Sequence, residues 1–196
     1  MEKRHFELLA DYNKKANNSM NEIIKTLTEE QWKKQFTGFY KSIQDICSHI
    51  AYWDFNGFNR CKYLHKFTSL EEKFQNYEIF DIHSLKISDD GKEYLNKYLV
   101  SSKYLFENSS IDDYINTRAI LDNRIIKFID EITTDDLEKT IEFITINETK
   151  FKWKINELII HLFNHQTHHR GMISLYLDML ERKNDFSNLI LYYNNI

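Results

Sequence analysis

The amino-acid sequence contains no proline and only 4 glycines among its 196 residues. β-Sandwiches and Rossmann folds normally use more of both residues in their turns and loops, so this scarcity argues against those folds. Long helices tolerate the absence of proline well, because proline would interrupt them. The composition therefore favours an all-α protein.

A basic surplus, a long apolar run and a glycine-rich phosphate loop are also missing. The formal net charge of −4 and the pI of about 6.1 give no electrostatic reason to expect a nucleic-acid partner. The charged residues 1–5 lead into an amphipathic pattern, which is typical of neither a signal peptide nor a membrane span. Without a phosphate loop, nucleotide chemistry lacks its usual cradle. We therefore expect a cytoplasmic protein that binds neither nucleic acid nor membranes.

Cysteine is scarce as well, with 2 in the chain. Cys47 and Cys61 fall on one predicted helix, roughly 21 Å apart at helical rise, so they cannot form a disulfide with each other there. Neither has a close cysteine partner, which excludes zinc-finger spacing. Free thiols fit a reducing cytosol. Cys47 is a candidate nucleophile, although packing as a small buried hydrophobe is the more common role of such a residue.

Apolar residues, by contrast, make up 42% of the chain and recur mostly at helical spacing. This periodicity predicts four long helices, at about 6–26, 42–63, 110–131 and 154–182. Residues 65–110 lack a clean period and predict an extra helical or irregular segment, with a shorter helix at 92–106. At 139–153 the pattern changes to strict alternation, which predicts a short β-hairpin. With no linker or repeat, residues 1–196 are expected to form a single domain.

Two histidines in the last predicted helix are the most informative feature. His165 and His169 lie four residues apart, so a helix places them one turn apart on the same side, about 40° from each other around the axis. They fall within the apolar stripe that should enter the core. Buried imidazole nitrogens need partners, and one transition-metal ion can satisfy both rings. His49, on the apolar face of another predicted helix, is the candidate third ligand.

Other interpretations of these histidines stay open. His161 lies on the same stripe one turn earlier and could replace a ligand, whereas His168 points away and is expected at the rim. The rings could also be paired with water and backbone. A di-iron bundle is disfavoured, because its Glu-x-x-His spacing occurs here as Glu2 to His5 and is unpaired. Three protein ligands would leave a coordination position for water or substrate, which is typical of catalytic sites. Imidazole suits several metals, and we expect Zn²⁺ or Ni²⁺.

Residues 163–171 (FNHQTHHRG) resemble the signature of DinB-like metal-binding proteins, a family named for DNA-damage induction and distinct from the polymerase of the same name. Further similarity covers nearly the whole chain, at residues 11–13, Asn17, 42–50, Asp54, 185–189 and 192–193. The resemblance implies an up-and-down four-helix bundle, and it matches His49, His165 and His169 to the family's metal triad. It also implies frequent homodimers, for which Ile159, Ile160 and Phe163 could provide an interface.

The resemblance implies two kinds of function. Enzymes of the wider superfamily use low-molecular-weight thiols, as S-transferases or isomerases, so the leading hypothesis is a metal-dependent enzyme of that type with a small-molecule substrate. The alternative is a metal-binding stress-response protein without turnover. A third interpretation is a helical interaction module whose histidines are empty.

Overall fold

A computed structural model of the chain describes residues 2–59, 61, 109–144, 149–186 and 188–190. The elements within these ranges are α1 (Lys3–Ile24), α2 (Glu29–Lys33), α3 (Ile43–Asn59), α4 (Ile111–Glu131), α5 (Thr134–Leu137), β1 (Thr140–Ile144), β2 (Lys150–Lys154) and α6 (Ile155–Met179). The predicted all-α fold with a short hairpin is confirmed. The predicted helix at 92–106 and most of the segment 65–110 lie outside the described residues.

Four of the described helices begin at a hydroxyl side chain that caps the first turn, and at α3 the Ser42 oxygen accepts from the Asp45 N–H at 3.0 Å. The side-chain oxygens of Thr28, Ser110 and Thr133 each accept a hydrogen bond from the backbone N–H three residues later, at 3.2, 3.1 and 3.3 Å. The side chain of that third residue accepts in turn from the N-cap backbone, which completes a capping box at each site. Such a cap contributes about 1 kcal/mol and defines where the helix starts.

Helices α1, α3, α4 and α6 form the bundle. Asn17 of α1 contacts Asp122 of α4, while Lys3 reaches the carbonyl of Asp130, so α1 and α4 run antiparallel. α3 and α6 are also antiparallel, since His49 lies beside His169 whereas Phe58, farther along α3, lies beside Phe163, which is earlier in α6. α3 and α4 run in the same direction, since Asp54 pairs with Arg118 and Phe58 packs on Phe128 farther along both helices. The bundle is therefore an up-down-down-up arrangement. The parallel α3 and α4 depart from the strict up-and-down order that the resemblance implies, because the buried Asp54–Arg118 pair and the Phe58–Phe128 contact join them side by side.

The hairpin precedes α6 and sets its start. β1 and β2 are antiparallel, with Ile141 opposite Trp153 and Thr140 opposite Lys154. The N–H of Lys154 donates to the Glu157 carboxylate at 2.9 Å, which begins α6 directly at the end of β2. The hairpin thus fixes where the histidine-bearing helix enters the bundle.

The interior consists of two apolar clusters separated by a buried polar layer. One cluster includes Met20, Trp32, Ile43, Ile46, Ile173 and Leu177, and the other includes Phe6, Phe58, Phe128, Leu158, Ile159 and Leu162. Along the bundle helices the polar layer falls between them, with the side chains of Asn13, Asn17, Asp54, Arg118, Asp122, Gln166 and Arg170. Among the described helices, none has the length and apolar character required to cross a bilayer.

Candidate metal centre

Three imidazole rings from α3 and α6 converge beside the polar layer. His165 Nε2 lies 3.0 Å from His49 Nε2 and 3.0 Å from His169 Nε2. Candidate ligand atoms of all three residues lie within 4.8 Å of one another. In a tetrahedral zinc site with bonds of 2.0–2.1 Å, two ligand nitrogens are about 3.3 Å apart. The observed spacing is close to that value, so small movements would bring the three rings around one cation.

The hydrogen-bonding chemistry of the rings also fits a cation. A neutral imidazole has one N–H and one acceptor nitrogen. In either tautomer, therefore, the His165 Nε2 atom can form a good hydrogen bond to only one of its two neighbouring nitrogens. The Nδ1 atoms of His165 and His169 are buried and have no hydrogen-bond partner among the described residues. A metal ion shared by the Nε2 atoms would satisfy the convergent nitrogens together.

His165 and His169 are held in the neutral form that binds metals. Burial, and next the nearby His49, lower the pKa of His165 to about 4. Burial, and next His165, lower the pKa of His169 to about 3. Near pH 7 neither ring carries a proton that a cation would have to displace.

The other two histidines of α6 in this region have peripheral positions. His161 is exposed, and its ring centre is 5.9 Å from that of His165 and 5.5 Å from that of Trp153. It does not belong to the cluster of candidate ligand atoms found in the described part of the chain. His168 is exposed too, in agreement with its predicted position at the rim.

Two aromatic rings pack against the three imidazoles. The ring centre of Tyr40 is 4.8 Å from that of His49 and 5.2 Å from that of His169. The ring centre of Trp53 is 6.1 Å from that of His49 and 6.0 Å from that of His165. Trp53 follows His49 by one helical turn, so the helical spacing predicts that it lies on the same side of α3 as His49. Tyr40 precedes α3 in an irregular segment, and no periodic signal pointed to it.

Tyr176 of α6 holds the segment that carries Tyr40. The Tyr176 hydroxyl donates to the carbonyl oxygen of Tyr40 at 2.7 Å, and its ring stacks on Phe36 with centres 4.1 Å apart. The Phe36 N–H donates to the carbonyl of Lys41 at 2.6 Å, which closes the loop. This anchoring determines where the Tyr40 ring meets the histidines.

A cavity of about 480 Å³ lies next to His49. The described residues that line it are Phe39, Tyr40, Lys41, Asp45, Ser48, His49, Tyr52 and Trp53. Its size is within the range of small-molecule sites. An organic molecule bound in the cavity would contact His49 directly.

The polar layer beneath the histidines joins all four bundle helices. The Asp54 Oδ2 atom accepts from Arg118 and from Gln166, both at 2.5 Å, and Asn17 donates to Gln166 at 3.1 Å. Burial raises the pKa of Asp54 to about 6, against the opposing effect of the Arg118 charge. Because Gln166 adjoins His165, this network determines how α6 is rotated relative to α3. No local pattern in the sequence indicates that Arg118 is the partner of Asp54.

Two candidate roles from the sequence do not agree with the packing. Cys47 is completely buried, and burial raises the pKa of its thiol, which makes it a core residue and not a nucleophile. Cys61 is buried as well. Ile159 and Phe163 belong to an apolar cluster of the chain's own core, so they are not free to form a dimer interface. Ile160 is exposed.

The family model described as the DinB family matches residues 1–184, which includes all three converging histidines. Neither a curated protein nor a solved structure matches the chain.

Proposed function

This chain belongs to the DinB family, and we propose that it is a metal-dependent enzyme that uses a low-molecular-weight thiol, as an S-transferase or an isomerase. In this proposal His49, His165 and His169 bind one Zn²⁺ or Ni²⁺. The observation that carries it is the convergence of three imidazoles at 3.0 Å contacts directly beside a cavity of about 480 Å³. A bound divalent cation would keep the sulfur of a thiol ionised near neutral pH.

The donor set supports catalysis more than a structural role. Three imidazole ligands leave a cation with a coordination position for substrate, whereas structural zinc sites usually have four protein ligands. In the described ranges, the cluster of candidate ligand atoms has three members. The His165 and His169 rings need lose no proton near pH 7, because their pKa values are about 4 and 3.

The thiol in this proposal comes from a small molecule. Cys47 and Cys61 are both buried, so neither thiol can reach a substrate in the cavity. In the transfer reaction the thiol loses its proton to solvent and its sulfur forms a bond to an electrophilic carbon. The leaving group departs from that carbon with the bonding electron pair. Tyr40 and Trp53 flank the histidines and would exclude water from this step.

The test combines metal analysis with turnover. Protein purified without added metal is analysed for zinc and nickel, then incubated with small thiols and electrophiles. We expect about one metal per chain and turnover that both disappear in His165→Ala. His161→Ala is the matched control, since it removes an exposed imidazole one turn away. Equal turnover in wild type and His165→Ala would refute the metal mechanism.

The alternative, a metal-binding stress-response protein without turnover, has one observation in its favour. His49 lies on α3 while His165 and His169 lie on α6, so a shared cation would cross-link two bundle helices and stabilise the fold. Its distinctive mark would be a closed site in which His161 supplies a fourth nitrogen. Loss of metal in His161→Ala, together with no thiol turnover by the wild type, would favour this alternative.

The proposal also includes a cytoplasmic location and a homodimer. The exposed apolar side chains Ile160, Leu175 and Met179 on α6 are the candidates for its interface. Sedimentation equilibrium tests the dimer, and Leu175→Lys should weaken it. A monomer at all concentrations in the wild type would rule it out.

A further inference from the structure

The cavity beside His49 has walls made of two pairs of consecutive aromatic residues. Phe39 and Tyr40 form one wall, with ring centres 5.0 Å apart and planes at 79°. Tyr52 and Trp53 form the other, with centres 6.0 Å apart and planes at 84°. Tyr40 and Trp53 also contact the histidines. Four of the described lining residues are therefore aromatic, and a molecule in the cavity would meet several ring surfaces.

Phe39 makes this arrangement unusual, because 87% of its side chain is exposed to solvent. A phenylalanine ring in water forgoes the stabilisation that burial would provide. Its neighbour Tyr40 is anchored by Tyr176, so the backbone at this point is held in place. An aromatic ring kept exposed on an anchored segment, next to a cavity, is suited to cover a bound molecule.

The charged groups of the cavity distinguish between possible ligands. Aromatic cages that bind organic cations rely on an unopposed ring quadrupole and negative charge. Here Lys41 and Asp45 both line the cavity, one cation and one anion. Lys41 Nζ donates to the carbonyl of Gly38, and Asp45 accepts from the Lys41 N–H, so both are also used within the loop. The lining carries no net charge from these two residues and favours an uncharged molecule.

We propose that the cavity binds an uncharged planar aromatic compound, in ring contact with the Phe39–Tyr40 and Tyr52–Trp53 pairs and with one edge toward His49. This inference rests on the proposed function in one respect, since it identifies the aromatic compound as the electrophile that the thiol attacks. Stacked and edge-to-face ring contacts favour a flat π-system over a saturated skeleton of similar size. The edge toward His49 would carry the carbon that the thiol attacks.

The test measures binding and does not need turnover. The full-length protein is titrated calorimetrically with 2-naphthol, with its saturated counterpart 2-decalol, and with choline as a cationic probe. We expect 2-naphthol to bind at least tenfold more tightly than either of the others. Phe39→Leu and Trp53→Leu should each weaken 2-naphthol binding about three- to tenfold, as expected for loss of one aromatic contact. Phe39 is exposed, so its replacement should leave the fold intact.

Phe151→Leu is the matched control, since Phe151 lies in β2 and is not among the lining residues. Equal binding of 2-decalol, tighter binding of choline, or identical affinities in wild type and both cavity variants would each overturn the inference. The result is separable from the proposed function. Selective 2-naphthol binding without thiol turnover contradicts the enzyme alone, whereas thiol turnover without aromatic selectivity contradicts this inference alone.

Discussion

Gly38 lies so close to Tyr176 that a β-carbon at residue 38 would overlap the Tyr176 hydroxyl oxygen. That hydroxyl donates to the carbonyl of Tyr40, whose ring packs against His49 and His169. The missing side chain at residue 38 therefore permits the contact that positions one wall of the candidate site. No glycine in the described residues has a positive φ, so the need for glycine here arises from space and not from backbone conformation.

Gly38→Ala should displace this loop and destabilise the protein by about 1–3 kcal/mol, the usual cost of overpacking. Tyr176→Phe in the same chain should recover much of the loss, because the nearest ring carbon would then be 3.2 Å from the new β-carbon. Urea unfolding of the two single variants and the double variant measures the coupling. Gly171→Ala is the control, since nothing lies within 4 Å of its added carbon. Strictly additive effects of the two changes would show that the contact is not the cause.

Metal removal should lower the unfolding temperature of the wild type, because a cation shared by α3 and α6 binds the folded state alone. At a free metal concentration about a thousandfold above Kd, the stabilisation amounts to roughly 4 kcal/mol. Thermal unfolding with and without a chelator measures the difference. His165→Ala should show almost no difference, and His168→Ala, which changes an exposed ring, should respond like the wild type. An identical chelator response in His165→Ala would place the metal elsewhere.

The metal-free protein should lose stability as the pH falls through the acidic range. The folded-state pKa values of His165 and His169 are about 4 and 3, below the value near 6.5 of an unfolded histidine. The unfolded state therefore binds more protons in this window. The stabilisation is present above pH 6.5 and is lost progressively as the pH falls toward the folded values.

Chemical unfolding of chelator-treated protein between pH 8 and pH 4 checks this dependence against His169→Leu. Asp54, whose raised pKa acts with the opposite sign, is present in both proteins and cancels in the difference. The stability advantage of the wild type over His169→Leu should shrink with falling pH. A difference that does not change with pH would contradict the depressed pKa of His169.

Arg118→Met should be among the most destabilising single changes in the bundle, costing about 3–5 kcal/mol. Arg118 is completely buried and pairs with Asp54 at 2.5 Å and with Asp122 at 2.9 Å, so its loss leaves both carboxylates without their cation. Asp54→Asn should cost much less, because the amide oxygen still accepts from Arg118 and Gln166, and Arg118 keeps Asp122. Denaturant midpoints and slopes of both variants measure the order. A larger loss in Asp54→Asn would reverse this account of the polar layer.

Features that depend on neighbours in sequence were predicted correctly. The helix predicted at 110–131 is capped by Ser110 and has an acidic first turn, and both signals act within one helical turn. The alternation at 139–153 predicted the hairpin of β1 and β2 for the same reason. The four-residue spacing of His165 and His169 placed them together on one face of α6, whatever the rest of the chain does.

Features that depend on which helices become neighbours were not available from these patterns. Asp54 and Arg118 are 64 residues apart in sequence. Their pairing requires α3 and α4 to run side by side in the same direction. Burial of Ile159 and Phe163 required the second apolar cluster to form around them. The position of Tyr40 follows from its contact with Tyr176 across the bundle.

Local sequence, then, settles the helices, their caps, the hairpin and the face of α6 that carries two imidazoles, because capping and periodicity act over a few residues. Packing of distant segments settles that His49 meets those imidazoles, that an arginine neutralises Asp54, and that aromatic walls enclose a cavity beside them. The physical reason is that side-chain contacts between helices depend on the direction, rotation and distance of each pair, and the whole bundle must fold to establish these.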